Sequence, residues 1–409
     1  MSEQLVSGYC DPCFQAVGDV FKQSLQSKFE VGASLAIEYR GEMLVDLWGG
    51  HKDAARKQLW QQDTIVNVWS VTKGVAAICA VRLIEQGKLD LEQKVAHYWP
   101  EYGCHGKQNT TVMDVLCHRA GMFGFADTIP AGQWKNWDLF TQKLANQAPI
   151  VTPGSLQAYH AMTFGWLVGE LIRRVDGRSV GTYFKEELAQ PLNLDFSIGV
   201  SEEDLSRCAD TLILGRLAKI PQLQLQSQLQ SQLVKYVPSF LLPSPLKNIK
   251  RAMVANYAAT AFDAFAFEDR NFVNQAEWRQ AEVPAGNGHG VASSLAKLYG
   301  ILSSGGSRDG FAVLQPKTIE LMRAVHSRGP DMVMFGLPYQ FGLGQLVHAP
   351  MTPIKNKRNM FGHTGVGGAV AFADVDKEIG FSFFSNQQHS IQNMYKTANA
   401  LSKALYQLI

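Results

Sequence analysis

Between Val31 and Trp48 apolar and polar positions alternate, with Ala33, Leu35 and Ile37 in one run and Leu44, Val45 and Leu47 in the next. A period of two signals a half-buried strand. Tyr39-Arg40-Gly41-Glu42 supplies a turn between the runs, so the pattern predicts a hairpin that begins an antiparallel sheet. The period then lengthens. Val75, Ile78, Cys79, Leu83 and Ile84 share a helical face over Val71 to Gln86, and Gly87 is placed to cap that helix. Thr111-Val112-Met113-Asp114 resembles a capping box opening a short helix toward His118. Leu167, Val168, Leu171, Ile172 and Val175 fall in register on a helix from Thr163 to Val175.

The stretch from Pro221 to Leu242 breaks this order. Gln222 to Leu233 consists of Leu, Gln and Ser alone, a bias that fits an insertion or surface loop better than a core element. Patterning resumes near Pro284, with a helix expected over Ser293–Leu302. Strands are expected over Phe341–Val347 and over Ala369–Phe384, the second broken by a turn at Asp374–Lys377, and an amphipathic helix over Ile391–Ile409. Helix and strand thus occupy both ends while the middle is mostly helical. The expected fold is α/β: an antiparallel sheet flanked by helices and built from both termini, with an inserted, mostly helical domain. Residues 1–90 and 285–409 would form the α/β domain, and residues 91–284 the helical domain carrying the insertion.

Composition narrows the function. A chain of 409 residues, 46% hydrophobic and 18% charged, can bury a sizeable core. The 38 basic and 36 acidic residues are interspersed, so no nucleic-acid partner is expected and a small neutral substrate is favoured. No stretch reaches the roughly 18 apolar residues of a membrane helix. Met1 to Lys28 lacks a basic start followed by an apolar core, so no signal peptide is expected. A soluble, cytoplasmic protein is therefore the default expectation. Six cysteines do not make a disulfide scaffold in a chain this long; Cys79 and Cys117 read as buried thiols. Cys10 and Cys13 form one C-x-x-C without a second pair, and the ten histidines show no H-E-x-x-H or comparable spacing. No metal or other cofactor is expected. Gly286-Asn287-Gly288-His289-Gly290 lacks a P-loop lysine, which argues against phosphate binding.

Candidate nucleophiles are more numerous. Ser70-Val71-Thr72-Lys73, Ser244-Pro245-Leu246-Lys247 and Ser294-Leu295-Ala296-Lys297 all match Ser-x-x-Lys. Ser244 sits among prolines, and Ser294 begins a helix, where serine commonly caps free backbone N–H groups. Ser70 follows the strand-like run Ile65-Val66-Asn67-Val68-Trp69 and opens a helix. Three residues apart, Ser70 and Lys73 project from one helical face. A lysine buried against this apolar helix would have its ammonium form disfavoured and could act as a neutral amine. The alternative is a capping serine followed by a surface lysine. Gly177-Arg178-Ser179-Val180-Gly181 matches G-x-S-x-G, but a nucleophile elbow needs a strand before it. Here a helix precedes, so Gly177 reads as its C-cap and Ser179 as the next N-cap.

Three further segments, in order, resemble one superfamily. Tyr159-His160-Ala161 lies where class C β-lactamases and DD-peptidases carry their catalytic tyrosine. Gly362-His363-Thr364-Gly365-Val366-Gly367-Gly368 resembles their Lys-Thr-Gly strand with histidine for lysine, and Leu116-Cys117-His118-Arg119-Ala120-Gly121 resembles their Leu-x-His-x-Ser-Gly loop. The whole is most similar to the family VIII carboxylesterases.

The resemblance implies that Ser70 forms an acyl-enzyme while Lys73 and Tyr159 share the proton transfers, with the principal base left open. It implies an oxyanion hole from the backbone N–H groups of Ser70 and Val366, and substrate binding by His363, Thr364 and Gly365. The glycine-rich segment at Gly286 would help shape the pocket. Ala161 replaces an asparagine that binds the side chain of a β-lactam, and His363 replaces a permanent cation. Both changes favour a small ester over a penicillin or a D-alanyl peptide. A β-lactamase or D-amino-acid peptidase, and a catalytically silent scaffold, stay as alternatives.

Overall fold

The hairpin forms from Gly32–Tyr39 and Glu42–Gly50, closed by Arg40 and Gly41, both in the left-handed region. The structure, a computed structural model, describes residues 5–213, 256–261, 271–355 and 359–409. The Leu/Gln-rich insertion expected at 221–242, and Ser244 with it, lies outside the described residues.

The hairpin lies inside one edge strand, Val6–Cys10, of a nine-stranded antiparallel sheet, in the spatial order Val6–Cys10, Glu42–Gly50, Gly32–Tyr39, Ile379–Ser385, Val370–Asp374, Met360–Thr364, Leu346–His348, Gln340–Phe341 and Ser327–Arg328. Strands from the two ends of the chain meet where Ile379–Ser385 pairs with Gly32–Tyr39. Both faces are covered. On one, Leu35, Ile37, Phe372 and Phe381 meet the terminal helices Gln15–Gln26 and Lys396–Tyr406. On the other, Ala36, Ala371 and Ala373 face the helix Ala292–Ser303. The strands therefore alternate large with small rather than apolar with polar, which is why their period is imperfect in the sequence. Each large side chain so buried contributes about 1.5–3 kcal/mol.

Between this sheet and the helical half runs the helix Val71–Glu85, packed on Thr163–Asp176 and on the strand Met360–Thr364. The sequence pattern predicts one apolar face for it, over Val75, Ile78, Cys79, Leu83 and Ile84, but residues Val71 through Val81 are all buried. A helix covered on all sides has no solvent face for a lysine to reach.

Three boundaries differ from expectation. Phe341–Val347 is two short strands, because Gly342–Gln345 turns inward: Gly344 N–H donates to Leu116 O, and Gln345 Nε2 to Gly74 O. The final helix starts at Lys396 rather than Ile391, so Tyr395 is its N-cap. Ser294 does not cap its own helix, whose N-cap is Val291; its hydroxyl instead accepts from the backbone of Asp195. Among the described residues no helix is long and apolar enough to cross a membrane.

Candidate active site

Ser70 stands at the N-cap of the central helix, yet its hydroxyl makes no capping hydrogen bond. Trp69, just before it, is held at φ +52°, a left-handed backbone that costs a non-glycine residue about 1–2 kcal/mol. One turn into the helix, Lys73 is completely buried. Its Nζ lies 2.9 Å from Ser70 Oγ and donates to Ala285 O at 2.7 Å. Ala285 is delivered by the glycine-rich segment: its strand Gly288–Gly290 pairs with Val66–Asn67, and Gly288 N–H donates to Thr72 Oγ1.

Tyr159 comes from a loop and is also buried, with its hydroxyl in hydrogen-bonding reach of Ser70 and its ring 4.9 Å from Lys73 Nζ. Asp331 holds it there. One carboxylate oxygen accepts from the N–H groups of Tyr159, Val333 and Met334, and the other from Gln157 Nε2. His118, from the loop quoted in the sequence, packs 4.9 Å from the Tyr159 ring with its backbone at φ +58°. His118 Nδ1 accepts from His160 N–H. Neither Asp331 nor Ala285 carries a motif, so the sequence offered no signal for them.

His363, Thr364 and Gly365 close the third side. Expected at the substrate side, His363 is 1% exposed, its ring turned back to its own Thr364 peptide and 6.2 Å from the Tyr159 ring. A side chain on Gly365 would meet Val68 O at 2.3 Å, so only glycine lets this strand end lie against the turn that carries Ser70. Val366 follows, half-buried like Ser70. Among the described residues, neither Ser70 N–H nor Val366 N–H has a protein partner, so both are free to meet an oxyanion.

The charges are unusual for so buried a cluster. Burial holds the Lys73 ammonium well below the ordinary lysine range, and among the described residues no carboxylate counters it. Burial pushes the Tyr159 phenol up, against the opposing hydrogen bond to Ser70. Burial, with Lys73 nearby, pushes His363 down to about 3. His160 is likewise lowered to about 3, and His118 well below its usual value. Burial thus disfavours the charged form of Lys73, of Tyr159 and of the three histidines alike.

The rival serines lack such company. Ser179 is the N-cap of Val180–Phe184, accepting from Thr182 N–H and donating to Glu282 at 2.6 Å. Lys297, three residues after Ser294, gives its ammonium to Leu192 O. Among the described residues no three His, Cys, Asp or Glu side chains gather in a way that could hold a metal ion.

A family model described as Beta-lactamase matches residues 17–405. The chain is 32% identical over 410 residues to the esterase/beta-lactamase LipL of Mycobacterium tuberculosis, covering 99% of this chain and 88% of that protein. Among solved structures, a family VIII carboxylesterase superposes with a TM-score of 0.84 at 30% identity, covering 99% of this chain and all of the other. A penicillin-binding protein homologue from Caulobacter crescentus superposes with a TM-score of 0.81 at 33% identity and the same coverage.

Proposed function

This chain belongs to the Beta-lactamase family, and on that premise we propose that it is a serine hydrolase cleaving carboxylic esters through an acyl-enzyme on Ser70. The observation that carries the reading is a lysine with no solvent exposure and, among the described residues, no carboxylate partner, 2.9 Å from a serine hydroxyl that caps nothing. Lys73 donates one N–H to Ala285 O, which leaves its lone pair for the Ser70 proton. Ser70 Oγ attacks the ester carbonyl carbon as that proton moves to Lys73. The carbonyl oxygen becomes an oxyanion between the N–H groups of Ser70 and Val366. As the tetrahedral adduct collapses, the leaving alcohol takes the Tyr159 hydroxyl proton, which Lys73 replaces. Water then attacks the acyl-enzyme, giving up a proton along the same pair, and the carboxylic acid leaves with Ser70 regenerated. The opposite shifts of the two groups support Lys73 as base and Tyr159 as proton carrier.

Two features support esters over β-lactams. Ala161 is buried and offers no amide. His363 stays neutral, so no fixed cation awaits a carboxylate. A fluorophosphonate probe should add once, with peptide mapping locating the adduct on Ser70, and short p-nitrophenyl esters should turn over faster than nitrocefin or a D-alanyl substrate. An adduct elsewhere, or faster amide turnover, would overturn the assignment.

The pH profile follows from the same charges. Protonating Lys73 removes its lone pair, so kcat/KM should fall as pH falls, on a limb well below the ordinary lysine value of about 10.4. Because His363 titrates at about 3, that limb should persist in His363→Asn. Its disappearance would assign the titration to the imidazole.

A further inference from the structure

We propose that Tyr395 is a positioning residue for the oxyanion hole, orienting the peptide that joins Gly365 to Val366 and, through it, the Val366 N–H. The inference rests on the reading above that Ser70 and Val366 supply the two donors. Tyr395 belongs to none of the motifs that picked out Ser70, Lys73 and Tyr159. It is the N-cap of the last helix, and its side chain reaches back over the end of the His363 strand. Its hydroxyl oxygen lies 3.1 Å from Thr364 Oγ1 and 3.3 Å from Gly365 O. A carbonyl can only accept, so the consistent arrangement is a relay: the Thr364 hydroxyl donates to the tyrosine, and the tyrosine hydroxyl donates to Gly365 O.

That carbonyl shares a planar peptide with Val366 N–H. In a trans peptide the two point in opposite directions, so anchoring one aims the other. Gly368 N–H donates to the same carbonyl at 3.2 Å. Two donors on one carbonyl also polarise the amide, which strengthens its N–H toward a developing anion.

The loop needs an external anchor. Gly367 and Gly368, at φ +98° and +118°, follow Val366 directly, and glycine restrains its own backbone least. The segment that carries Tyr395 supplies the restraint, since Gly368 packs so closely that a Cβ there would lie 2.4 Å from Met394 O. Burial raises the Tyr395 phenol to about 12, which keeps it a neutral donor.

The test compares Tyr395→Phe and Thr364→Val with the wild-type chain, measuring kcat and KM for a p-nitrophenyl ester, affinity for phenylboronic acid, Tm, and fluorophosphonate labelling. Removing a direct oxyanion donor costs 10²–10³ in kcat, so losing its anchor in Tyr395→Phe should cost about 10-fold in kcat. Boronate affinity should fall by a similar factor, because the tetrahedral adduct occupies the hole, while KM and Tm hold. Thr364→Val should lower boronate affinity in the same direction, and the double variant should lose less than the product of the two single losses. Unchanged kcat and boronate affinity in Tyr395→Phe, with labelling still on Ser70, would overturn this inference and leave the acyl-enzyme reading intact. Falls in kcat, Tm and substrate affinity together would reduce Tyr395 to a packing role and equally overturn it. Wild-type labelling away from Ser70 would instead remove the reading beneath both.

Discussion

Ser70→Ala is expected to lower kcat/KM for short p-nitrophenyl esters by at least about 10⁴-fold, the scale seen when a nucleophile acting with its base is removed. The fold should survive, because the Ser70 hydroxyl caps no helix N–H and an alanine methyl fits the same turn. Lys73 would keep its hydrogen bond to Ala285 O. The control is Ser179→Ala, which removes a cap that accepts from Thr182 N–H and a bond to Glu282. That change should cost about 1 kcal/mol of stability and leave the activity within about 2-fold. Steady-state kinetics with thermal unfolding of both variants checks the pair. Substantial turnover in Ser70→Ala would mean that another group attacks the ester.

Lys73→Met is expected to separate activity from stability. The variant loses its base, so kcat/KM should drop by about 10³-fold, within the range for general acid–base catalysis. Its stability should rise instead. Lys73 is fully buried with burial as the cause of its lowered affinity for a proton, and methionine fills similar volume without a charge. We expect a gain of about 1–2 kcal/mol near neutral pH, typical when a buried functional group gives way to an apolar one. The sign with pH is fixed. The unfolded lysine titrates near 10.4 and the folded one well below it, so between those values the unfolded chain binds more protons. Wild-type stability therefore rises with pH through that window, and the cost of Lys73 is full below its folded value. The advantage of Lys73→Met should shrink as pH rises toward about 10.4. Unfolding curves at several pH values check this; a less stable variant would show that the bonds to Ser70 and Ala285 outweigh burial.

Much of the fold was legible where local pattern and local chemistry agree. The hairpin turn at Arg40-Gly41, the capping box at Thr111, and the αL cap at Gly177 all formed as expected, because each is satisfied by residues a few positions apart. The C-terminal helix was legible less well. Apolar spacing carried the expectation back to Ile391, but the hydrogen bonds of Tyr395 to Thr364 and Gly365 stop the helix at Lys396. Likewise Phe341–Val347 looked like one strand until Gly342–Gln345 turned in to meet Gly74 and Leu116.

The sequence by itself determined which residue types stand at Ser70, Lys73, Tyr159 and the His363-Thr364-Gly365 run, and that Ser179 follows a helix rather than a strand. It left open whether Lys73 was a solvated cation or a buried amine, since three-residue spacing allows both. Tertiary structure decided that. The helix is enclosed on every side, and the charge of Lys73 depends on water excluded by residues more than 200 positions away, Ala285 and His363 among them. Desolvation belongs to a place rather than to a motif. For the same reason the anchors of the site, Asp331 behind Tyr159 and Tyr395 behind Gly365, emerged only when distant segments were packed together.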